Sequence, residues 1–146
     1  MTPPQKPRFI FLLNSAQRAL HQCIAQEQAQ AAGGDAPSPA QAGVLFALAS
    51  ADGQTMGQLA QALDLAPSAV SGLIQRMEAL DWVARHADAE DARSSRVCLR
   101  AAGRAQLPAL RAALARLNAK LGDSFSDAEL QTVARWLEHV RRLGTN

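Results

Sequence analysis

The sequence has no tyrosine, only six valines and three isoleucines, and only two cysteines among 146 residues. Aromatic and β-branched residues favour strands, so their scarcity predicts few strands. Alanine (31 residues) and leucine (19 residues) head the helix-propensity order, so the chain is predicted to be mainly α-helical. Cys23 and Cys98 have no metal-ligand spacing and form no disulfide framework, so two reduced thiols and no metal site are expected.

Features of membrane proteins and enzymes are also missing. The longest stretch without a charged residue, residues 36–51, contains two prolines and is shorter than the roughly 20 apolar residues that span a bilayer. The apolar run at residues 9–13 is shorter than that of a secretory signal. No glycine-rich phosphate loop, HExxH motif or nucleophile elbow is present, and the three histidines are scattered. We expect a cytoplasmic protein that is not an enzyme and uses no cofactor.

The first half of the chain is predicted to hold four helices. Residues 1–7, with three prolines, are predicted to be a flexible tail, and apolar residues at three- and four-residue steps predict a helix over residues 8–32. Capping-box patterns begin the next helices, at residues 38–50 and 55–63. A fourth helix is predicted for residues 67–81, directly after a tight link.

The second half begins with a change of period. Alternating residues over 83–100 predict a β-hairpin with a long polar tip. A long helix with a leucine seam follows from Ala101, with a kink or boundary at Pro108, and a capping box at Ser126 begins the last helix. Short helix, tight turn, helix and hairpin is the order of a winged helix-turn-helix, in which the second helix enters the DNA major groove.

The helix at residues 67–81 has an apolar and a polar side. At 100° per residue, one side is predicted to face the core and carries Val70, Leu73, Ile74, Met77 and Leu80. The opposite side carries Ser68, Ser71, Gly72, Gln75 and Ala79, with Arg76 at its flank. Small residues let a helix lie deep in a groove, and a glutamine can hydrogen-bond a base edge. An ordinary solvated surface is the alternative interpretation.

Positive charge is concentrated in the same region. Residues 67–116 hold eight arginines and five acidic residues, whereas the segments before and after have net charges of −1 and 0. Five arginines surround the predicted hairpin: Arg85, Arg93, Arg96, Arg100 and Arg104. Arginine suits phosphate contacts and narrow minor grooves, so this distribution favours nucleic acid as a partner.

Three stretches carry a family resemblance. They are LAPSAVSGLIQRME (65–78), WVAR (82–85) and DARSSRVCLRAAG (91–103), of which the Asp-x-Arg wing followed by V-x-L-x-x-x-G is the most diagnostic. In this order they resemble the MarR family of bacterial regulators. The resemblance implies a mainly α-helical winged helix-turn-helix with a two-stranded β-wing. It further implies a winged domain at residues 38–100 and a helical dimerisation region at residues 8–37 and 101–146.

The resemblance also implies partners and contacts. The protein would be a homodimer that binds double-stranded DNA at a pseudo-palindromic operator, most often as a repressor. Arg93 would enter the minor groove, with Asp91 fixing its orientation. The other contacts would come from the second helix and the wing: Ser68, Ser71, Gly72, Gln75, Arg76, Arg85 and Ser94.

Four positions depart from the family pattern. Ala66 stands where a Ser or Thr usually caps the DNA-reading helix, a loss of about 1 kcal/mol. Gly72 replaces a larger polar residue and costs a similar amount in mid-helix. Asp81 replaces the usual Gly after the helix, and Arg100 replaces a common Thr. The sequence therefore does not predict which operator is bound.

The resemblance leaves regulation open. Family members commonly bind small aromatic anions, often phenolic, between the dimerisation helices and the winged lobe; here Arg18, His21 and Phe46 would contact such a ligand. A thiol-based oxidative-stress sensor using Cys23 is an alternative, although the chain lacks the tyrosines of that branch. A helical dimeric interaction module that does not bind DNA is the other alternative.

Overall fold

The computed structural model describes residues 7–30 and 36–144. The predicted tail, except for Pro7, and the end of the first predicted helix lie outside these residues. The chain divides into two compact units, Met1–Arg111 and Ala112–Asn146. Within the described ranges no helix combines the length and apolar character needed to cross a membrane.

The described chain is mainly helical, as its composition predicts. In order, its elements are α1 (Phe9–Gln30), α2 (Pro39–Ser50), β1 (Gln54–Thr55), α3 (Met56–Leu63), α4 (Pro67–Ala79), β2 (Val83–Ala87), β3 (Ser95–Leu99), α5 (Ala101–Arg104), α6 (Leu107–Gly122) and α7 (Asp127–Leu143). Helix α4 ends two residues before the predicted end at Asp81. The chain therefore has the predicted winged helix-turn-helix order.

Three helices begin with a complete capping box, as predicted. At α2 the Ser38 hydroxyl accepts a hydrogen bond from the Gln41 backbone N–H, and the Ser38 N–H donates to the Gln41 side chain. Thr55 does the same at α3, and Ser126 does so at α7. Helix α4 has Ala66 as its N-cap residue and therefore no side-chain cap, as its sequence predicts. Capping of the short helix α3 fixes the start of the helix-turn-helix.

Pro108 marks a helix boundary. Helix α5 ends at Arg104, and α6 begins at Leu107 with Pro108 as its second residue. Proline has no N–H to donate, and the first turn of a helix is where that N–H has no intrahelical partner. The predicted long helix from Ala101 is therefore two helices.

The sheet has three antiparallel strands in the order β1-β3-β2. The predicted hairpin is confirmed: β2 and β3 pair from Val83 opposite Leu99 to Ala87 opposite Ser95. Strand β1, which pairs Gln54 with Val97, was not predicted. A two-residue strand is too short to show an alternating pattern, and its register depends on a partner more than 40 residues away.

The core of the first unit lies between α2, α3, α4 and the sheet. Its fully buried side chains are Val44, Leu45, Leu48, Leu59, Val70, Ile74, Met77, Val83 and Val97. The predicted inner side of α4 is thus confirmed for Val70, Leu73, Ile74 and Met77, but the placement of Leu80 is wrong. Leu80 is 48% exposed because it follows the last helical residue, so the helical period no longer directs its side chain to the core.

Candidate nucleic-acid interface

Helix α4 presents its polar side to solvent. Because Val70, Ile74 and Met77 are buried, the opposite side is fixed outward, and Ser68, Ser71, Gln75 and Arg76 are all exposed. Gly72 is half-buried, and a Cβ at this position would lie 3.4 Å from Arg76 Nη1. The guanidinium of Arg76 therefore lies beside Gly72, one turn back along the helix.

The wing tip is a compact turn that carries Arg93. The Asp91 carboxylate accepts a hydrogen bond from the Arg93 backbone N–H at 3.0 Å, and the Asp91 carbonyl accepts one from Ser94 N–H at 3.0 Å. The Ser94 carbonyl accepts from Asp88 N–H at 3.0 Å. Asp91 thus holds the Arg93 backbone and makes no ion pair with its guanidinium, which is exposed.

The wing, which consists of β2, β3 and residues 88–94 between them, is tied at its base to the helical part of the first unit. Arg96 Nε lies 3.3 Å from Asp88 Oδ2, and Arg96 Nη1 donates to the Gly53 carbonyl at 2.9 Å. The Asp88 carboxylate also accepts from Glu90 N–H at 3.1 Å. These hydrogen bonds, from Glu90 first and then from Arg96, lower the pKa of Asp88. Arg96 is therefore occupied in joining the wing to the turn after α2.

Three more arginines of the lobe are paired with acidic residues. Arg85 Nε lies 2.7 Å from Glu78 Oε1, and Arg100 Nε lies 2.8 Å from Asp81 Oδ1. Arg104 lies 3.1 Å from Asp52. Over the described residues, Arg76 and Arg93 take part in no ion pair. The arginine excess that the sequence indicates is thus largely neutralised, except on the outer face of α4 and at the wing tip.

Asp52 connects two elements, a role that the sequence does not predict. Its carboxylate accepts from the Leu99 N–H at 2.9 Å and from Arg104 Nη2 at 3.1 Å. Asp52 lies in the turn between α2 and β1. The sequence carries no signal for these two partners of Asp52, because both lie more than 40 residues further along the chain.

The predicted ligand residues lie in the first unit. Arg18 and His21 are exposed one turn apart on α1, and Phe46 is half-buried on α2 against the core. A shallow depression on α7 has none of them in its lining, which consists of Ala134, Arg135, Glu138, His139 and Arg142. Cys23 and Cys98 are free thiols and half-buried. The roles of these residues therefore remain predictions.

Comparison with known proteins gives matches in sequence and in fold. Residues 37–94, from the start of α2 to the wing tip, match the sequence model of the MarR family. No curated protein matches the sequence. A probable transcriptional regulator from Pseudomonas aeruginosa is 25% identical, with 91% of this chain and 96% of that one covered and a TM-score of 0.80.

Two other solved structures share the fold at lower identity. S. aureus MepR, in a MepR–DNA complex, is 21% identical over 97% of this chain and 100% of that one, with a TM-score of 0.80. Bordetella bronchiseptica BpsR, whose DNA binding is regulated by 6-hydroxynicotinic acid, is 21% identical over 89% of this chain and 98% of that one, with a TM-score of 0.75. The sequence match over residues 37–94, together with a fold shared along most of the chain, makes this protein similar to the MarR family of winged helix-turn-helix transcriptional regulators.

Proposed function

We propose that the protein acts in the cytoplasm as a homodimeric, sequence-specific DNA-binding repressor that a small aromatic or phenolic ligand releases from its operator. The observation that carries this proposal is the coincidence of an outward polar face on α4 with an exposed arginine at the wing tip. Neither Arg76 nor Arg93 is neutralised by an acidic side chain of the described residues, whereas four neighbouring arginines are.

The two elements have different roles in this proposal. On α4, Gln75 hydrogen-bonds base edges in the major groove, while Ser68 and Ser71 contact bases or phosphates, and Gly72 and Arg76 complete that surface. Arg93 enters the minor groove on a turn that Asp91 and Ser94 hold in shape. Arg85, the remaining predicted contact, lies beside α4 in an ion pair with Glu78. The structure of S. aureus MepR, which shares the fold, is a complex with DNA, and this supports DNA as the partner.

Exposed apolar side chains support a dimer. The start of α1 exposes Phe9, Ile10, Phe11 and Leu12, and Ile10 is 81% exposed. In the second unit, α7 exposes Val133 and Leu137, which lie one helical turn apart. Clustered large apolar residues at a surface mark an interaction site, and a second copy of the chain offers the same kind of surface in return.

Ligand release needs no chemical step. In a dimer, the two copies of α4 meet successive major grooves when they lie about 34 Å apart. A ligand that favours a dimer with another spacing therefore lowers operator affinity. Arg18 and His21 supply charge and hydrogen bonds for an anionic ring, and Phe46 supplies an apolar wall. The regulation of BpsR by 6-hydroxynicotinic acid supports the ligand class. Unchanged operator binding across a panel of aromatic carboxylates would contradict this part of the proposal.

Fluorescence anisotropy tests the DNA-binding function. The DNA from upstream of the protein's own gene is compared with scrambled DNA of equal length at two salt concentrations. We expect preference for the native fragment and an affinity that falls steeply with salt, because phosphate contacts release counterions. Equal, weakly salt-dependent binding to both would instead favour a dimeric module without a DNA target.

A further inference from the structure

The last turn of α4 carries an acidic residue on the side that faces outward. Glu78 follows Ser71 by seven residues, which is two helical turns to within about 20°, so both lie on one side of the helix. Glu78 Oε1 accepts a hydrogen bond from Arg85 Nε at 2.7 Å. The Arg85 and Glu78 side chains are 36% and 33% exposed, so the pair lies at the surface beside the polar face of α4.

This pair changes the charge that the lobe offers to DNA. An unpaired Arg85 beside α4 would attract phosphates of any sequence, since phosphate contacts carry no sequence information. Glu78 cancels that charge, occupies one of the guanidinium donors and places a carboxylate where phosphates approach. Gln75, one turn before Glu78, keeps its side chain exposed for base edges.

We propose that Glu78 is a specificity-determining residue of the DNA interface, which lowers affinity for non-target DNA by withholding Arg85 from phosphates. The inference rests on the proposed DNA-binding function. Discrimination is a ratio of affinities, so the pair raises it when its penalty falls mainly on non-target DNA. On target DNA, base contacts fix the position of α4, whereas on non-target DNA the protein is free to shift until an unpaired Arg85 meets a phosphate. The pair thus reduces the sequence-independent part of binding.

Glu78→Gln tests the proposal because glutamine keeps the shape and removes the charge. Binding is measured by anisotropy on the native upstream fragment and on scrambled DNA over a series of salt concentrations. We expect scrambled-DNA affinity to rise several-fold and the native-to-scrambled ratio to fall. The slope of log affinity against log salt should steepen by about 0.9 for each phosphate that Arg85 gains, or about 1.8 for a dimer.

Two further variants make the test specific. Glu90→Gln removes an acidic charge from the same lobe, but the Glu90 side chain pairs with no arginine of the described residues, so we expect a much smaller change. In an Arg85→Gln background, Glu78→Gln should lose most of its effect. Circular dichroism confirms that each variant is folded.

Unchanged scrambled-DNA binding in Glu78→Gln would overturn the proposal, as would an equal effect of Glu90→Gln or the same gain without Arg85. Weaker binding by Glu78→Gln would also overturn it, because Glu78 would then orient Arg85 toward DNA. If the parent prefers its native fragment and Glu78→Gln changes nothing, this inference alone fails. If the parent binds no DNA at all, the proposed function fails, and this inference fails with it.

Discussion

Among the glycines that the structure describes, Gly103, in the short helix α5, is the one at which an added Cβ would come closest to a neighbouring atom. A Cβ built on Gly103 would lie 2.2 Å from the Trp82 carbonyl oxygen and 3.0 Å from its carbonyl carbon. Trp82 is buried, and the same carbonyl accepts the Arg100 N–H at 2.9 Å. The obstacle is backbone in the link between α4 and β2, so no side-chain rotation relieves it.

The expected cost of Gly103→Ala follows from this contact. Ordinary van der Waals contact begins near 3.4 Å, so the two segments must separate by roughly 1 Å. Overpacking of this kind costs about 1–3 kcal/mol, or more where backbone must move, while alanine regains about 1 kcal/mol of helix propensity. We expect a net loss of about 2 kcal/mol in the free energy of unfolding, or about 4–8 °C in Tm for a chain of this size.

Gly57 provides the matched control. A Cβ at Gly57, in the first turn of α3, would meet nothing within 4 Å, and its backbone is not in the left-handed region. Gly57→Ala should therefore raise the free energy of unfolding by about 0.4–1 kcal/mol. Urea and thermal denaturation at one protein concentration measure both variants. A Gly103→Ala variant as stable as the parent would refute the packing argument.

Four other changes have expected outcomes. Arg93→Ala should weaken binding to all DNA and reduce the slope of log affinity against log salt by about 0.9 per lost phosphate contact. Gln75→Ala should instead alter sequence preference. Anisotropy titrations in which both variants affect every sequence equally would contradict these separate roles. Ala66→Ser should stabilise the protein by about 1 kcal/mol in urea denaturation by capping α4, and an unchanged midpoint would count against it. Hydrogen bonds from Arg141 first and then from Arg142 lower the pKa of Glu138 from 4.5 to about 2. Because the pKa of Glu138 is lower in the folded state, the stabilisation is complete above about pH 4.5 and is lost as pH falls toward 2. Glu138→Gln should therefore make Tm fall less steeply with acid than it does in the parent. Parallel Tm curves for the two proteins would contradict this.

Local patterns predicted most of the fold. The capping boxes at Ser38, Thr55 and Ser126, the boundary at Pro108 and the inner face of α4 all depend on residues within a few positions of one another. The sequence did not predict β1, because its pairing requires a distant partner. Leu80 was misplaced because the helical period was extended past the end of the helix.

The site was less predictable than the fold, for a physical reason. The sequence places five arginines around the hairpin but does not show which acidic side chains neutralise them. Glu78 and Arg85 are seven residues apart, and Asp52 and Arg104 are 52 apart. Distances between such groups depend on tertiary packing, so the difference between Arg93 and its paired neighbours appears only in the structure.

The strand order β1-β3-β2 implies an order of folding. The β2–β3 hairpin closes only the short segment of residues 88–94, whereas β1 meets β3 through Gln54 and Val97, which are 43 residues apart. Loop-closure entropy favours the local pairing first, and the distant pairing becomes favourable once α3 and α4 have shortened the path between its ends. We therefore expect β1 to join last, adding to a hairpin that has already formed, together with the hydrogen bond from Arg96 to the Gly53 carbonyl.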